Sequence, residues 1–192
     1  MKPAAAVVAA DAAPYGTRAM RGREVRDERP DDRRRVFEVQ ARAFGRADEA
    51  RLVDALRAAT HPHVSLVAVE DGAVVGHVFL SPVTLDAAEP SPPLAGLAPV
   101  GVLPERRRRG IGSALIRAAL ERARAQWTAV FLVGDPAYYT RFGFVLAAPR
   151  GFSYGDPRFD AALQVLELRP NALTGRSGRV RFHPAFAAEV DG

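Results

Sequence analysis

The chain has no cysteine and only one lysine, Lys2, among its 192 residues. Without thiols there can be no disulfide framework, thiolate metal cluster or cysteine nucleophile, and a reducing cytoplasm is the expected compartment. No apolar run reaches roughly 18 residues, which excludes a spanning helix because a bilayer core needs about 20. The shortage of lysine also excludes a P-loop, whose G-x-x-x-x-G-K-[ST] pattern requires one near its end. What is present is ordinary for a globular protein: 48% apolar and 26% charged residues. At about 150 residues per domain, the length suggests one compact domain with a tail. The 27 basic residues include that one lysine, so 26 are arginine, and against 22 acidic residues they leave a net charge of +5. Such a surplus describes a solvated surface and also permits an anionic ligand, because guanidinium binds phosphate bidentately.

Residues 1–20 are Ala-rich and lack any apolar period, so they read as a disordered tail, with 21–192 forming the domain. A signal peptide fits poorly, since the apolar stretch is weak and Asp11 interrupts it. After the tail, a short strand is expected at residues 23–27. Pro30 then opens a helix carrying Val36, Phe37, Val39, Gln40 and Phe44, and Gly45 stops it. A second helix is expected over 47–59. VSLVAVE and AVVGHVFL, joined by Asp71-Gly72, read as a hairpin of strands 64–70 and 73–80. The stretch 86–93 reads as an exposed loop. Leu94 to Leu103 is an apolar strand with Pro99 in its middle, and since proline cannot donate to a ladder, an edge or a bulge is implied there. Residues 111–126 form the clearest helix, with Arg117, Glu121 and Arg124 on its wet face. A buried strand at 130–133, a helix from Pro136 to Phe142 closed by Gly143, and a strand at 163–168 complete the alternation.

Between the Pro99 strand and the clear helix lies P-E-R-R-R-R-G-I-G-S, Pro104 to Ser113. Two glycines two apart remove Cβ atoms where an anion must approach the main chain. The following helix aims unpaired N–H groups and its positive dipole end at the same spot, which suits a phosphate or pyrophosphate. The spacing Arg107-x-x-Gly110-x-Gly112 is not decisive alone, because chance produces about 0.2 such matches in a chain of this composition. A Rossmann fingerprint fails because its third glycine would fall at Leu115.

The conjunction is more specific. Strand, basic turn, R-x-x-G-x-G and helix are followed by a strand and then by YYTRFGF, Tyr138 to Phe144. Together with VVGHVFLSPV, Val74 to Val83, this resembles the GCN5-related N-acetyltransferase (GNAT) superfamily over residues 23–168, in particular a subgroup of bacterial acetyltransferases. The resemblance implies an α/β (α+β) fold: a mixed, mostly antiparallel sheet of six to seven strands flanked by about four helices, with a bulged fourth strand. It implies an acetyl-CoA-binding core at 21–145, followed by a C-terminal segment at 146–192. It further implies that main chain at Val100, Gly101 and Val102 holds the pantetheine and thioester, and that Arg107, Arg108, Arg109, Gly110, Ile111, Gly112 and Ser113 take the pyrophosphate. A bulge at Pro99 would independently free N–H groups able to polarise an acyl carbonyl.

Tyr139 stands four residues before Gly143, where the family's general-acid tyrosine precedes its G-F pair. A phenol of pKa about 10 is neutral at pH 7 and can protonate a departing thiolate. Tyr138 suits packing beneath the sheet. The base is left open: His77 reads as a satisfied core histidine, Glu49 and Glu70 are candidates acting through water, and His61 and His63 lack the spacing for a metal site. Two departures from the family pattern stand out. Gly134-Asp135-Pro136 replaces a frequent asparagine, and the bulged strand carries no carboxylate. Phe152, Tyr154 and Arg158 are suggested as walls of an acceptor pocket.

The expected activity is transfer of an acetyl group from acetyl-CoA to a small-molecule amine, by direct attack in a ternary complex, with no metal. A homodimer stays open among the expectations, and neither a membrane nor a nucleic-acid partner is expected. Two alternatives remain: a non-catalytic acyl-CoA-binding regulator of the same fold, and an arginine-driven nucleic-acid binder. The latter is disfavoured by the absence of aromatics among Arg106 to Arg109.

Overall fold

A computed structural model describes residues 22–86 and 91–189, so the expected tail lies outside the described residues. Strand β1 (Arg23–Asp27) leads through a 3-10 turn, Pro30–Asp32, into helix α1 (Arg33–Phe44). The turn is fixed by Asp32, whose carboxylate accepts from the Arg29 backbone N–H at 2.7 Å and pairs with both Arg26 terminal nitrogens. Gly45, at φ 74°, ends α1 in the left-handed conformation that glycine adopts without a Cβ penalty. Helix α2 (Asp48–Ala59) follows, then the hairpin β2 (Val64–Glu70) and β3 (Ala73–Asp86), turned by Asp71 and Gly72 at φ 52° and 79°.

β3 continues six residues past its expected end at Leu80. Pro82 is tolerated because the pairing with β2 stops at Leu80, opposite Val64, and that with β9 starts at Thr84, opposite Arg181, so that edge has no ladder for a proline to break. β4 (Leu94–Val102) pairs antiparallel with β3, and the register slips between Val78 and Leu80, so Ala98 and Pro99 form the bulge implied by the sequence. Helix α3 (Ile111–Ala123) lies on one face of the sheet and α1 on the other. Gly76 and Gly101 admit them: a Cβ on Gly76 would lie 3.0 Å from Ile111 Cγ2, and one on Gly101 would lie 2.5 Å from Gln40 Oε1. Arg117, Glu121 and Arg124 of α3 and its C-cap face water as the periodicity predicts, while Ile116 and Leu120 join the buried stripe.

The C-terminal part contains β5 (Ala129–Val133), the single-turn helix α4 (Pro136–Tyr139), β6 (Val145–Leu146), β7 (Phe152–Ser153), the single-turn α5 (Pro157–Asp160), β8 (Leu163–Glu167) and β9 (Gly178–Arg181). The main path runs β1-β2-β3-β4-β5-β8-β6, and β9 pairs with the far end of β3 and with β7. Only β4 with β5 and β7 with β9 are parallel, so the sheet is mixed and mostly antiparallel, as expected. The nine strands among the described residues exceed the expected six to seven through β6, β7 and β9, pieces of two to four residues. Among the described residues, no helix is long and apolar enough to cross a membrane.

Candidate active site

β4 and β5 pair only from Leu94 to Gly96, opposite Ala129 to Phe131. Beyond Gly96 the two strands part. The bulge at Ala98 and Pro99 turns β4 away, so the edge of Val100 to Val102 that would face β5 has no strand partner there. The expected thioester-holding residues therefore line an opening in the sheet.

The chain leaves β4 through a 3-10 turn, Pro104–Arg106, and enters α3 with Arg108 at φ 57° and Gly110 at φ 77°. No side chain caps α3. Its first N–H groups, from Ile111 to Ser113, precede the first intrahelical acceptor, so they point outward as an anion cradle. The four-arginine run divides. Arg106 pairs with Glu70 at 2.8 Å and Arg107 donates to the Ala43 carbonyl, while Arg108 and Arg109 stay exposed. Arg23 holds the loop from below by donating to the Arg109 carbonyl at 2.8 Å.

α4 is set by Asp135, whose carboxylate accepts from the Ala137 N–H at 2.9 Å, and by Pro136 in its first turn. Both tyrosines are buried, and their rings meet edge-on at 5.2 Å. The Tyr138 hydroxyl lies 3.4 Å from Ser113 Oγ, which ties α4 to the first turn of α3. The Tyr139 hydroxyl, on a side chain only 1% exposed, has no hydrogen-bond partner among the described residues. Burial pushes its pKa well above the usual phenol value, with smaller contributions from Tyr138 and Asp135, so the proton is in place at neutral pH. A buried hydroxyl without a partner is costly, and such groups mark places where a ligand supplies the missing contact.

A family model described as "Acetyltransferase (GNAT) domain" matches residues 24–147. The N-acetyltransferase YhbS of Escherichia coli strain K12 is 35% identical over 164 residues, covering 84% of this chain and 97% of YhbS. The chain belongs to the GNAT acetyltransferases. The crystal structure of Escherichia coli YhbS in complex with CoA matches with a TM-score of 0.81 and 32% identity, covering 91% of this chain and 96% of that one. A GNAT family acetyltransferase from Brucella melitensis in complex with acetyl-CoA matches at 0.70 and 38%, covering 85% and 97%.

Within this GNAT chain two of the candidate bases, His77 and Glu70, are committed elsewhere, while Glu49 keeps one buried carboxylate oxygen, Oε2, without a hydrogen-bond partner among the described residues. His77 is fully buried: Gln40 Nε2 donates to its Nδ1 at 2.7 Å, and its Nε2 lies 2.8 Å from Ser65 Oγ, which in turn donates to Glu28. Burial, with a smaller push from Arg57, lowers its pKa to about 3, so it is the satisfied neutral core histidine that its strand position suggests. Glu70 is gripped by Arg23 at 2.5 Å and by Arg106, and the Arg23 hydrogen bond lowers its pKa, making it a weak base. Glu49 is buried and pairs with Arg46 at 2.6 Å. His61 and His63 lie tilted against one another at 5.2 Å, and His63 stacks on Phe79 and contacts the Thr60 carbonyl.

Of the three suggested pocket walls, only Tyr154 lines a cavity, one of about 750 Å³. Phe152 is 2% exposed and packs edge-on against Phe131, because β7 turns it into the core. Arg158 folds back onto Asp156 at 2.6 Å. The other walls include Phe159, Phe182, Phe186 and Arg181, which sequence reasoning missed: β9 carries one buried apolar residue, Val180, and its pairing with β3 spans about 95 residues of chain.

Proposed function

We propose that the chain transfers an acetyl group from acetyl-CoA to the amine of a small molecule, by direct attack within a ternary complex and with Tyr139 as general acid. The observation that carries this reading is the buried Tyr139 hydroxyl, without a partner among the described residues, on a helix α4 that the neighbouring Tyr138 hydroxyl ties to the first turn of α3. Complexes of related proteins with CoA and acetyl-CoA support the donor. On this reading, the segment from Arg107 to Ser113, with the outward N–H groups of Ile111 to Ser113, binds the diphosphate, and β4 main chain at Val100 to Val102 holds the pantetheine arm and the thioester carbonyl.

The amine nitrogen attacks the thioester carbonyl carbon, forming the C–N bond. The tetrahedral oxyanion collapses, the C–S bond breaks, and the departing sulfur takes the Tyr139 proton. The proton lost by the amine leaves through water, because Glu70 is a weakened base and His77 donates and accepts within the core. Tyr139 regains its proton from solvent, completing the cycle.

Tyr139→Phe removes one oxygen that has no protein partner, so the fold is unaffected. It is expected to lower kcat about 10²- to 10⁴-fold while leaving the acetyl-CoA Kd from calorimetry unchanged. Turnover within threefold of the parent overturns the assignment of Tyr139. Absence of CoA release with every amine tested favours a non-catalytic acyl-CoA binder.

A further inference from the structure

The aromatic cavity shares a sheet face with α1 and α2. Gly96 and Gly101 point to the same side of β4, since the bulge adds one residue between them and the β3 residues opposite them, Ser81 and His77, are four apart. Gly101 faces Gln40 of α1, and a Cβ on Gly96 would collide with the Phe182 ring at 2.6 Å. The 3-10 helix Pro184–Glu189, which supplies Phe186, packs against α2. α3 and its anion cradle occupy the opposite face. Phe182 therefore stands at Gly96, the last β4 residue paired with β5, at the mouth of the opening and about 10 Å along the sheet from Val100, the three-residue step on β3 from Ser81 to Val78 that faces them.

The lining has a definite chemistry. Tyr154 meets Phe159 at 5.0 Å and Phe182 at 5.4 Å, and Phe182 meets Phe186 at 5.4 Å, giving a run of ring faces and edges. Its one acidic residue, Asp156, is consumed: its carboxylate caps α5 and takes the Arg158 guanidinium. Arg179 and Arg181 add positive charge. Arg181 is itself paired with Asp86 at 2.6 Å, so a second ammonium group in the cavity would be desolvated without an available counter-charge and would face the Arg179 guanidinium. A flat apolar body would stack on the rings. The volume, about 750 Å³, holds a ligand of one or two rings.

We infer that this cavity is the acceptor site and that it selects a single amine carried on an aromatic body, rejecting polyamines and amino sugars. The inference rests on the proposed N-acetyltransferase activity. The amine enters the β4–β5 opening from the face opposite α3 while the ring stays against the cavity-facing sides of Tyr154 and Phe182.

The test is CoA release from acetyl-CoA with tryptamine, 2-phenylethylamine, spermidine and glucosamine, combined with inhibition by 2-phenylethanol, which keeps the ring and lacks the amine. kcat/KM for the aromatic amines is expected to exceed that for spermidine and glucosamine at least tenfold. 2-Phenylethanol should compete with the amine and not with acetyl-CoA. Phe182→Ala should raise the aromatic amine's KM about tenfold with kcat within threefold and an unchanged acetyl-CoA Kd. Phe182→Leu, which keeps most of the packing, should give a smaller rise in the same direction. Higher kcat/KM with spermidine or glucosamine, or competition of 2-phenylethanol against acetyl-CoA alone, overturns the acceptor class and leaves the transferase reading intact. An unchanged KM in both Phe182 variants overturns the site. No CoA release with any of the four amines overturns the class and the transferase reading together.

Discussion

The two ends of the opening between β4 and β5 are built from different materials. At the donor end the contacts offered are main-chain N–H groups: the bulged edge of Val100 to Val102 and the uncapped start of α3. At the cavity end they are side chains, a row of rings anchored on β9 and the helix beyond it. Amides depend on backbone path, so the donor end tolerates changes of side chain and fails when the path is disturbed. Rings depend on shape and charge, so the cavity end tolerates small shifts of backbone and changes its selectivity with single side chains. Behind the donor end, a buried hydrogen-bonded chain braces the path: Gln40, His77 and Ser65 lead to Glu28, which Arg57 grips at 2.7 Å.

The largest effect expected from this contrast is that of Gly101→Val. The new side chain would drive Gln40 Oε1 and Cδ from within 3.0 Å and crowd Ala43 Cβ at 3.2 Å, separating Gln40 from His77 inside the core. A cost of about 3 kcal/mol is expected, with Tm falling by about 10 °C in calorimetry and acetyl-CoA binding lost. A variant that melts like the parent and still binds acetyl-CoA would show that the path at β4 is not braced from α1.

A smaller effect separates the bracing chain from the cavity. His77 titrates near its ordinary value of 6.5 in the unfolded chain and at about 3 in the folded one. As pH falls below 6.5, the unfolded state takes up a proton that the folded state refuses, and stability drops until about pH 3. Between pH 7.5 and 4.5 this amounts to about 3 kcal/mol at most. Carboxylates held low in the fold, those of Asp32, Glu70 and Asp156, also lose stability as pH falls, so the signal is a difference. Urea denaturation at both pH values should show a steeper loss in the parent than in His77→Gln. Equal slopes would mean that His77 ionises inside the fold.

The same contrast decides what was legible in the sequence. The donor end is written locally. Asp71-Gly72 fixes the hairpin, Pro99 forces the bulge, Gly110 takes a positive φ that a Cβ of its own would resist, and Tyr139 keeps its distance from Gly143. The bracing chain was only half visible: His77 read as a core histidine, but its partners Ser65, Gln40 and Glu28 sit on β2, on α1 and in the connection after β1, and no spacing joins them. The cavity end was the least legible. β9 is four residues with one buried apolar side chain, and β3 passes through a proline because of neighbours that only the fold supplies. Phe152 and Phe182 look alike in sequence, but Phe152 lies in β7, paired with β9, and enters the core, while Phe182 lies just past the end of β9 and lines the cavity.

The smallest expected effect tests whether amides or arginines hold the anion. Arg106 and Arg107 are engaged with Glu70 and the Ala43 carbonyl, so only Arg108 and Arg109 present solvent-exposed guanidinium groups at the cradle. Exposed charges contribute about 0.2–1 kcal/mol each and are screened within about 10 Å at 0.1 M salt. The double substitution Arg108→Ala with Arg109→Ala is therefore expected to weaken acetyl-CoA binding about threefold to tenfold at low salt, with the difference shrinking toward none at 0.5 M as measured by calorimetry. A loss of a hundredfold that persists at high salt would move the binding energy from main chain to side chain, and the donor end would then resemble the cavity end in its construction.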